Sequence, residues 1–322
     1  MNRGKGSIMA VLSLMVVVSV LLLAGVSSAA EKFPSREIVI VVTFSAGSSN
    51  DLSTRVLAEY LKKELGVPIL VEARPEANGI KGVVDVYRAK PDGYTLLSNL
   101  VPRNPQMEIV YKTPYKILEL TYLGAFQKQY ILVAVRKESP YKTMKELFEA
   151  SKTKPLNCST PGQGSRSHQN AMILKKRVGI DLVAVPYKGS APAMMALLSG
   201  SVDMTIVDDL VASQHEPKLR FLAIISEERF RKFPDVPTFK ELGYEAPLGY
   251  SILGICGPPG LPENISKILS DALVKAIKNP EFISKLDKMG PTPIYMPGPQ
   301  FRAETENFYK IVEAYKDILT EE

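Results

Sequence analysis

The residues best suited to bind a small ligand lie in three short loops that each leave a strand-like segment and enter a helical one. These loops span residues 44–51, 161–167 and 187–190 and are rich in Gly and Ser. In open α/β sheets such loops gather at the carboxyl ends of the strands, where ligands bind. Helix N-termini there present unpaired N–H groups and a partial positive charge, which favours carboxylates or phosphates. One such loop is typical of an ordinary turn, but three in one chain predict an anion-binding site.

Side chains that could carry out catalysis are scarce. The chain has only two histidines, His168 and His215, which leaves little material for a metal site or a proton relay. Ser165, Ser167 and His168 are neighbours at the start of one predicted helix, where a cap explains them better than a catalytic triad does. Residues 162–164 begin like a dinucleotide-binding motif but lack its third glycine. We therefore expect no catalytic residue, no metal and no cofactor.

Two further positions at strand ends could contact a ligand. Asp208 and Asp209 follow a predicted strand, where adjacent acids usually cap the next turn, although one of them could accept hydrogen bonds from a ligand hydroxyl or amine. Arg103 follows another strand, and its guanidinium could hold a carboxylate through two parallel hydrogen bonds. The alternative for Arg103 is an ordinary solvated arginine on the surface.

The elements that must position these residues alternate between strand and helix. In the helix over 52–65, one face carries Leu52, Val56, Leu57, Tyr60, Leu61 and Leu65. Unbroken apolar strands flanked by helices predict parallel α/β sheets. Strands are predicted over residues 37–43, 67–72, 94–98, 131–135, 156–159, 182–185, 202–207 and 250–256. Helices are predicted over residues 52–65, 143–151, 167–177, 191–198, 262–278, 281–288 and 299–319.

The ends and composition of the chain define its class. Residues 1–30 combine Arg3 and Lys5, a long apolar run and a small-residue end, which predicts a signal peptide cleaved after Ala29 or Ala30; an uncleaved anchor is the alternative. The 322 residues carry a net charge of only +6, too little for a nucleic-acid binder. The two cysteines, at positions 158 and 256, are predicted to be separate core thiols rather than a bridge.

An ordered set of short segments resembles the receptors of tripartite tricarboxylate transporters, the Bug family. The resemblance covers nearly the whole chain after residue 30, and its segments match typical family sequences in order. They are FPSREI at 33–38, VEARP at 71–75, PDGYTLL at 91–97, VPYKGSAPA at 185–193, GSVD at 200–203, PDVPT at 234–238 and ELGY at 241–244.

The resemblance implies a two-lobed periplasmic-binding-protein fold of the Venus flytrap type, type II-like, with two mostly parallel sheets and a cleft between the lobes. Residues 31–132 and 249–322 would form lobe 1, and residues 133–248 lobe 2. In the family, loop backbone groups, hydroxyls and waters hold the ligand's carboxylate. Taken together with the strand-end residues considered above, the predicted binding residues are Phe44, Ser45, Ala46, Gly47, Ser48, Ser49, Asn50, Asp51, Arg103, Thr160, Gly162, Gly164, Ser165, Ser167, His168, Tyr187, Lys188, Gly189 and Asp208.

Both main binding loops depart from the family pattern. The first commonly reads PFAPGGGTD, and of residues 43–51 only Phe44, Gly47 and Asp51 match it. The second commonly reads SAGNGSSSH, where Arg166 here replaces a small residue. Arg103 likewise stands where a small or polar residue is usual. These changes keep small, hydrogen-bonding groups and add positive charge at the cleft.

The sequence thus predicts an extracytoplasmic, monomeric solute receptor that captures a small organic anion, a carboxylate, and delivers it to the membrane permease subunits of a tripartite tricarboxylate-type transporter. One alternative is a sensory binding protein that reports its ligand to a membrane signalling partner. The other is an enzyme that acts on a small carboxylate, which would need a positioned base that the sequence hardly offers.

Overall fold

A computed structural model describes residues 32–163, 165–245 and 248–320. The predicted signal peptide lies outside the described residues. From Arg36 to Glu322 the chain forms one compact unit. Among the described residues, no helix combines the length and the apolar character needed to cross a bilayer.

In the described part of the chain, ten strands form the sheet. They are β1 (Ile38–Val42), β2 (Ile69–Ala73), β3 (Thr95–Val101), β4 (Thr121–Arg136), β5 (Leu156–Thr160), β6 (Leu182–Pro186), β7 (Met204–Asp208), β8 (Leu219–Ile224), β9 (Tyr250–Gly257) and β10 (Thr292–Pro297). The strand order is β2-β1-β3-β9-β4-β7-β5-β6, and β8 and β10 also pair with β4.

The helices cover the sheet and connect its strands. They are α1 (Ser49–Leu65), α2 (Ile80–Tyr87), α3 (Arg103–Tyr111), α4 (Met144–Ser151), α5 (Arg166–Ile173), α6 (Ser190–Leu198), α7 (Asp209–His215), α8 (Glu263–Lys278), α9 (Pro280–Met289), α10 (Gly298–Ala314) and α11 (Lys316–Leu319). All predicted helices are present, although the last one is divided at Tyr315 and α5 ends in a π-helical turn over Leu174–Val178.

Strand β4 holds the sheet together, and the sequence predicted only its second part. Its residues 121–130 pair with β9, and residues 131–136 pair with β7 and β8. The missed part contains Gln127, Lys128 and Gln129, polar residues that interrupt the apolar pattern of a buried strand. Gln127 and Gln129 are nevertheless buried, because strands lie on both sides of β4.

The strands form one mixed sheet, so the prediction of two mostly parallel sheets is wrong. The strands β1, β2 and β3 are parallel to one another, as are β5, β6 and β7. Every pairing of β4, and the pairing of β3 with β9, is antiparallel. The direction of β4 and β9 follows from long-range pairing, which the composition of a strand does not encode. The assignment of residue ranges to two lobes stays a prediction.

Local capping signals position the helices as expected. Thr143 caps α4 by accepting a hydrogen bond from the Glu146 amide at 3.1 Å, as the capping-box pattern predicts. Helix α1 begins three residues earlier than predicted, because Ser48 caps it by accepting from the Asp51 amide. The predicted apolar face contains the buried residues Leu57, Tyr60 and Leu61. Leu52, on the same face, is 39% exposed, because the first turn of α1 borders a cavity rather than the core.

The C-terminal helices pack on the first part of the sheet. Phe282 of α9 is fully buried between Tyr60 of α1 and Phe126 of β4, with ring centroids 5.7 and 6.3 Å away. Cys158 and Cys256 lie in separate parts of the core as free, fully buried thiols, as predicted. Burial raises the pKa of the Cys158 thiol to about 12. Both thiols therefore serve packing rather than chemistry.

Candidate ligand-binding cleft

The predicted loops meet at one large cavity of about 660 Å³, called here the larger chamber. The first loop reaches it from the end of β1, the second from the end of β5 and the third from the end of β6, as expected for carboxyl ends of parallel strands. Predicted site residues that line it are Phe44, Ser45, Ala46, Gly47, Ser48, Ser49, Asn50, Ser165, Ser167, Gly189 and Asp208.

A second cavity of about 390 Å³, the smaller chamber, adjoins the larger one. Arg103 and Gly162, both predicted site residues, line the smaller chamber and do not line the larger one. The two chambers share a wall of six residues: Phe44, Ser45, Leu100, Pro161, Ser165 and Arg166. The candidate site is therefore one cleft with two compartments and not a single round pocket.

Asp51 holds the first loop in its turn conformation through hydrogen bonds. Its carboxylate is 1% exposed and accepts hydrogen bonds from the Gly47 amide at 2.8 Å and from Arg55 Nε at 3.0 Å. Gly47 adopts a φ of +80°, which a residue with a side chain rarely does. Asp51 thus fixes the turn that presents Ser48 and Ser49 to the larger chamber, and it does not itself line either chamber.

Gln129 is a site residue that the sequence analysis missed. Its Nε2 donates to the Ser49 hydroxyl at 2.8 Å, and its Oε1 accepts from the Ser251 hydroxyl at 3.2 Å. Gln129 lines the larger chamber from β4, and Ser251 is its direct partner on β9. The first binding loop is therefore tied to the two central antiparallel strands. An amide within a buried strand was the available signal, but the strand itself had not been predicted there.

The second and third loops are held to each other by backbone hydrogen bonds. Tyr187 N–H donates to the Thr160 carbonyl at 2.8 Å, and Gly189 N–H donates to the Pro161 carbonyl at 2.9 Å. Ser165 caps α5 by accepting from the His168 amide at 3.2 Å. Thr160 is completely buried behind the cleft. The remaining predicted residue of the second loop, at position 164, lies outside the described residues.

Among the described residues, five predicted site residues are not brought to either chamber: Asp51 and Thr160, described above, and Tyr187, Lys188 and His168. Tyr187 packs against an apolar core cluster, and Lys188 is exposed. His168 instead lines a third cavity of about 410 Å³ that is also bordered by Arg103 and by residues 318–320. Burial lowers the pKa of His168, so the ring is neutral at pH 7. Its backbone, rather than its imidazole, contributes to the second loop.

Arg103 begins α3 at the border of the smaller chamber and the third cavity. Its Nη2 donates to the Asn78 carbonyl at 3.4 Å, a long contact. Burial lowers the pKa of Arg103, although a guanidinium stays charged at every physiological pH. Arg103 is thus only partly exposed to solvent.

The charged groups near the second loop are Arg166, Asp208 and Asp209. Asp208 caps α7 by accepting from the Val211 amide at 3.0 Å and still lines the larger chamber. Asp209 is completely buried and accepts from the Tyr130 amide at 2.9 Å. Burial, with a smaller contribution from Asp208, raises the pKa of Asp209 to about 8. The cleft therefore carries two arginines against a single lining carboxylate.

This α/β fold with its polar, cationic cleft defines a solute-binding protein, and comparison with known proteins assigns the family. Residues 53–310 match the model of the tripartite tricarboxylate transporter family receptor, so the chain belongs to that family. It is 34% identical over 290 residues to the UPF0065 protein in the gbd 5'region of Cupriavidus necator, covering 86% of each chain. It is 30% identical over 280 residues to protein BugT of Bordetella pertussis, covering 84% of this chain and 86% of BugT.

Solved structures agree with this assignment. The periplasmic binding protein BugD superposes with a TM-score of 0.75 at 26% identity, covering 90% of this chain and 99% of BugD. MatC of Rhodopseudomonas palustris, solved with bound malate, superposes with a TM-score of 0.73 at 27% identity, covering 89% of this chain and 100% of MatC. The family consists of binding proteins rather than enzymes, as the scarcity of catalytic side chains predicted.

Proposed function

We propose that this protein is an extracytoplasmic receptor that binds a small organic carboxylate in the two-chamber cleft and delivers it to a tripartite tricarboxylate-type permease. The observation that carries the proposal is the convergence of three Gly/Ser loops on one cavity that also holds Arg166. Backbone N–H groups, hydroxyls and a cation surround the same space, and this set of donors suits an anion.

The N-terminus of α1 supplies an uncharged contribution to anion binding. The helix is 17 residues long, so its dipole is well developed, and its first residues, Ser49 and Asn50, line the larger chamber. Ser49 is oriented by Gln129, which keeps the loop in place before a ligand arrives. The malate bound by MatC supports a carboxylate as the ligand class.

We further propose that the cleft closes on its ligand. The predicted lobes, residues 31–132 with 249–322 and residues 133–248, would be joined through β4 and the segment leading to β9. Each lobe supplies binding loops, so full contact with the ligand requires the lobes to meet, and the ligand then stabilises the closed form. A permease can distinguish that form from the open one. Small-angle scattering should show a smaller radius of gyration with saturating ligand, and unchanged curves with confirmed binding would refute closure.

The carboxylate proposal is tested by calorimetry with succinate, malate, adipate and benzoate beside the neutral compound succinamide. We expect carboxylates to bind and succinamide not to bind. The variant Ala46→Trp should weaken binding, because Ala46 is an exposed residue of the larger chamber and an indole there occupies part of the space beside the first loop. Ala303→Trp, at an exposed position on α10, is the matched control and should bind as the wild type does.

Tight binding of neutral compounds with no binding of carboxylates would contradict the proposal. Mass spectrometry of any molecule released from the denatured protein identifies the natural ligand. A sensory role would use the same cleft, so it is distinguished by the partner: co-purification with permease subunits supports transport, and co-purification with a membrane signalling protein supports sensing.

A further inference from the structure

The guanidinium of Arg166 contains a buried nitrogen that has no acceptor among the described residues. Its Nη1 is buried and makes no hydrogen bond to any of the residues that the structure describes. The side chain as a whole is only partly buried, and it lines both chambers. A buried N–H group that lacks an acceptor destabilises a protein, and an unpaired charge does so more strongly. Retention of this group therefore calls for a compensating role.

The nearest carboxylates do not compensate for the burial of Arg166. Asp208 and Asp209 attract its charge, but neither forms an ion pair with it among the described contacts. Asp208 is engaged in capping α7, and Asp209 is mainly protonated at neutral pH because burial raises its pKa to about 8. Burial outweighs both attractions and lowers the pKa of Arg166. The empty protein thus disfavours the positive charge that it holds.

Arg166 also occupies the junction of the cleft. Of the six residues in the wall shared by the two chambers, it is the one with a formal charge. Ser165, beside it, offers its cap position at the start of α5. A ligand that extends through both chambers would therefore lie beside this guanidinium.

We propose that Arg166 is the charged anchor of the site, and that it binds an anionic group of the ligand directly through its forked N–H groups. This inference rests on the proposed function and adds a specificity determinant to it. The ligand supplies the acceptor that the protein withholds, so binding relieves the cost of the buried charge. Affinity therefore depends on a full negative charge at the junction, and an uncharged analogue of the same shape is rejected.

The test combines binding with the stability of the empty protein. Arg166→Gln removes the charge and keeps much of the side-chain length. We expect it to weaken binding of whichever of succinate, malate, adipate and benzoate the wild type binds by about ten- to a hundredfold. Arg166→Lys should recover only part of that loss, because an ammonium does not reproduce the fork. Succinamide should not distinguish the three proteins.

In the absence of ligand, Arg166→Gln should raise the Tm, because it removes an uncompensated charge. Arg220→Gln is the matched control: Arg220 Nη1 donates to the carbonyls of Ser139 and Tyr141 at 3.1 and 3.3 Å, so its loss should lower the Tm. If Arg166 stabilises the fold, its replacement should lower the Tm, as in the control. If Arg166 destabilises the empty protein and serves ligand binding, its replacement should raise the Tm.

The outcomes separate the two proposals. Wild-type affinity for carboxylates in Arg166→Gln would overturn the inference and leave the proposed function standing. If the wild type binds no carboxylate at all, the proposed function fails, and the Tm decides on Arg166. In that case a higher Tm in Arg166→Gln still supports a charge reserved for an anionic ligand, and a lower one overturns it.

Discussion

Asp209 should make the stability of this protein depend on pH in a characteristic way. Its carboxyl group is completely buried at the start of α7, where Oδ2 accepts from the Tyr130 amide and Oδ1 has no partner among the described residues. Burial is the main cause that raises its pKa from 3.8 to about 8, and Asp208 adds to it. The Tyr130 and Leu210 amides and Arg166 act in the opposite direction but do not prevent the rise.

The sign follows from proton binding in the two states. Between pH 4 and pH 8, the folded protein keeps the proton of Asp209, whereas the unfolded chain releases it. This group therefore contributes most to stability below its unfolded pKa, and the contribution is lost as the pH rises toward the folded value. The slope is about 1.4 kcal/mol per pH unit, so between pH 5 and pH 7 the free energy of unfolding should fall by about 2–3 kcal/mol on account of Asp209.

The variant Asp209→Asn isolates this effect. Its amide oxygen can still accept from the Tyr130 amide, but the residue no longer titrates. Urea unfolding at a series of pH values measures the free energy of unfolding of both proteins. The value for the variant minus the value for the wild type should increase by about 2–3 kcal/mol from pH 5 to pH 7. Asp271→Asn, at a carboxylate that is 57% exposed and paired with Lys267, controls for the loss of one negative charge. Its free energy of unfolding should change with pH nearly as that of the wild type does. A constant difference between wild type and Asp209→Asn across this range would refute the assignment of a raised pKa.

Further predictions concern the loop, the second arginine and the thiols. Asp51→Ala should lower the free energy of unfolding by about 2–4 kcal/mol in urea titrations, because the Gly47 amide and a guanidinium lose a buried acceptor; a loss no larger than that of an exposed ion pair, about 0.5 kcal/mol, would contradict this. Arg103→Ala should weaken carboxylate binding about ten- to a hundredfold in calorimetry, with partial recovery in Arg103→Lys; an unchanged Kd would return Arg103 to the role of a surface arginine. Cys158 and Cys256 should resist a thiol-specific reagent in the folded protein and react when it is unfolded; rapid reaction of the native protein would show that the core opens.

The sequence by itself determined the local elements and the outline of the site. Unbroken apolar runs placed most strands, because burial on both faces selects such residues wherever the strand sits. The cap Thr143 marked the start of α4, since the bond it makes spans only three residues, whereas the same kind of cap at Ser48 was not predicted and α1 was therefore started too late. Gly and Ser at the strand ends then identified the binding loops, and the ordered family segments identified the class of receptor.

The tertiary structure decided which strands pair, in which direction, and which polar groups are buried. The first part of β4 escaped prediction because Gln127 and Gln129 are buried by neighbours more than a hundred positions away in the chain, on β9. The same holds for charge. Asp51 became a support for its loop, Asp209 a protonated acid and Arg166 a cation without an acceptor, because the solvent exclusion and the partners of each side chain are set by segments brought together only on folding. The hydrophobic pattern of a sequence indicates which residues are buried. The hydrogen-bond or charge partner of each buried polar group is determined only in the folded protein.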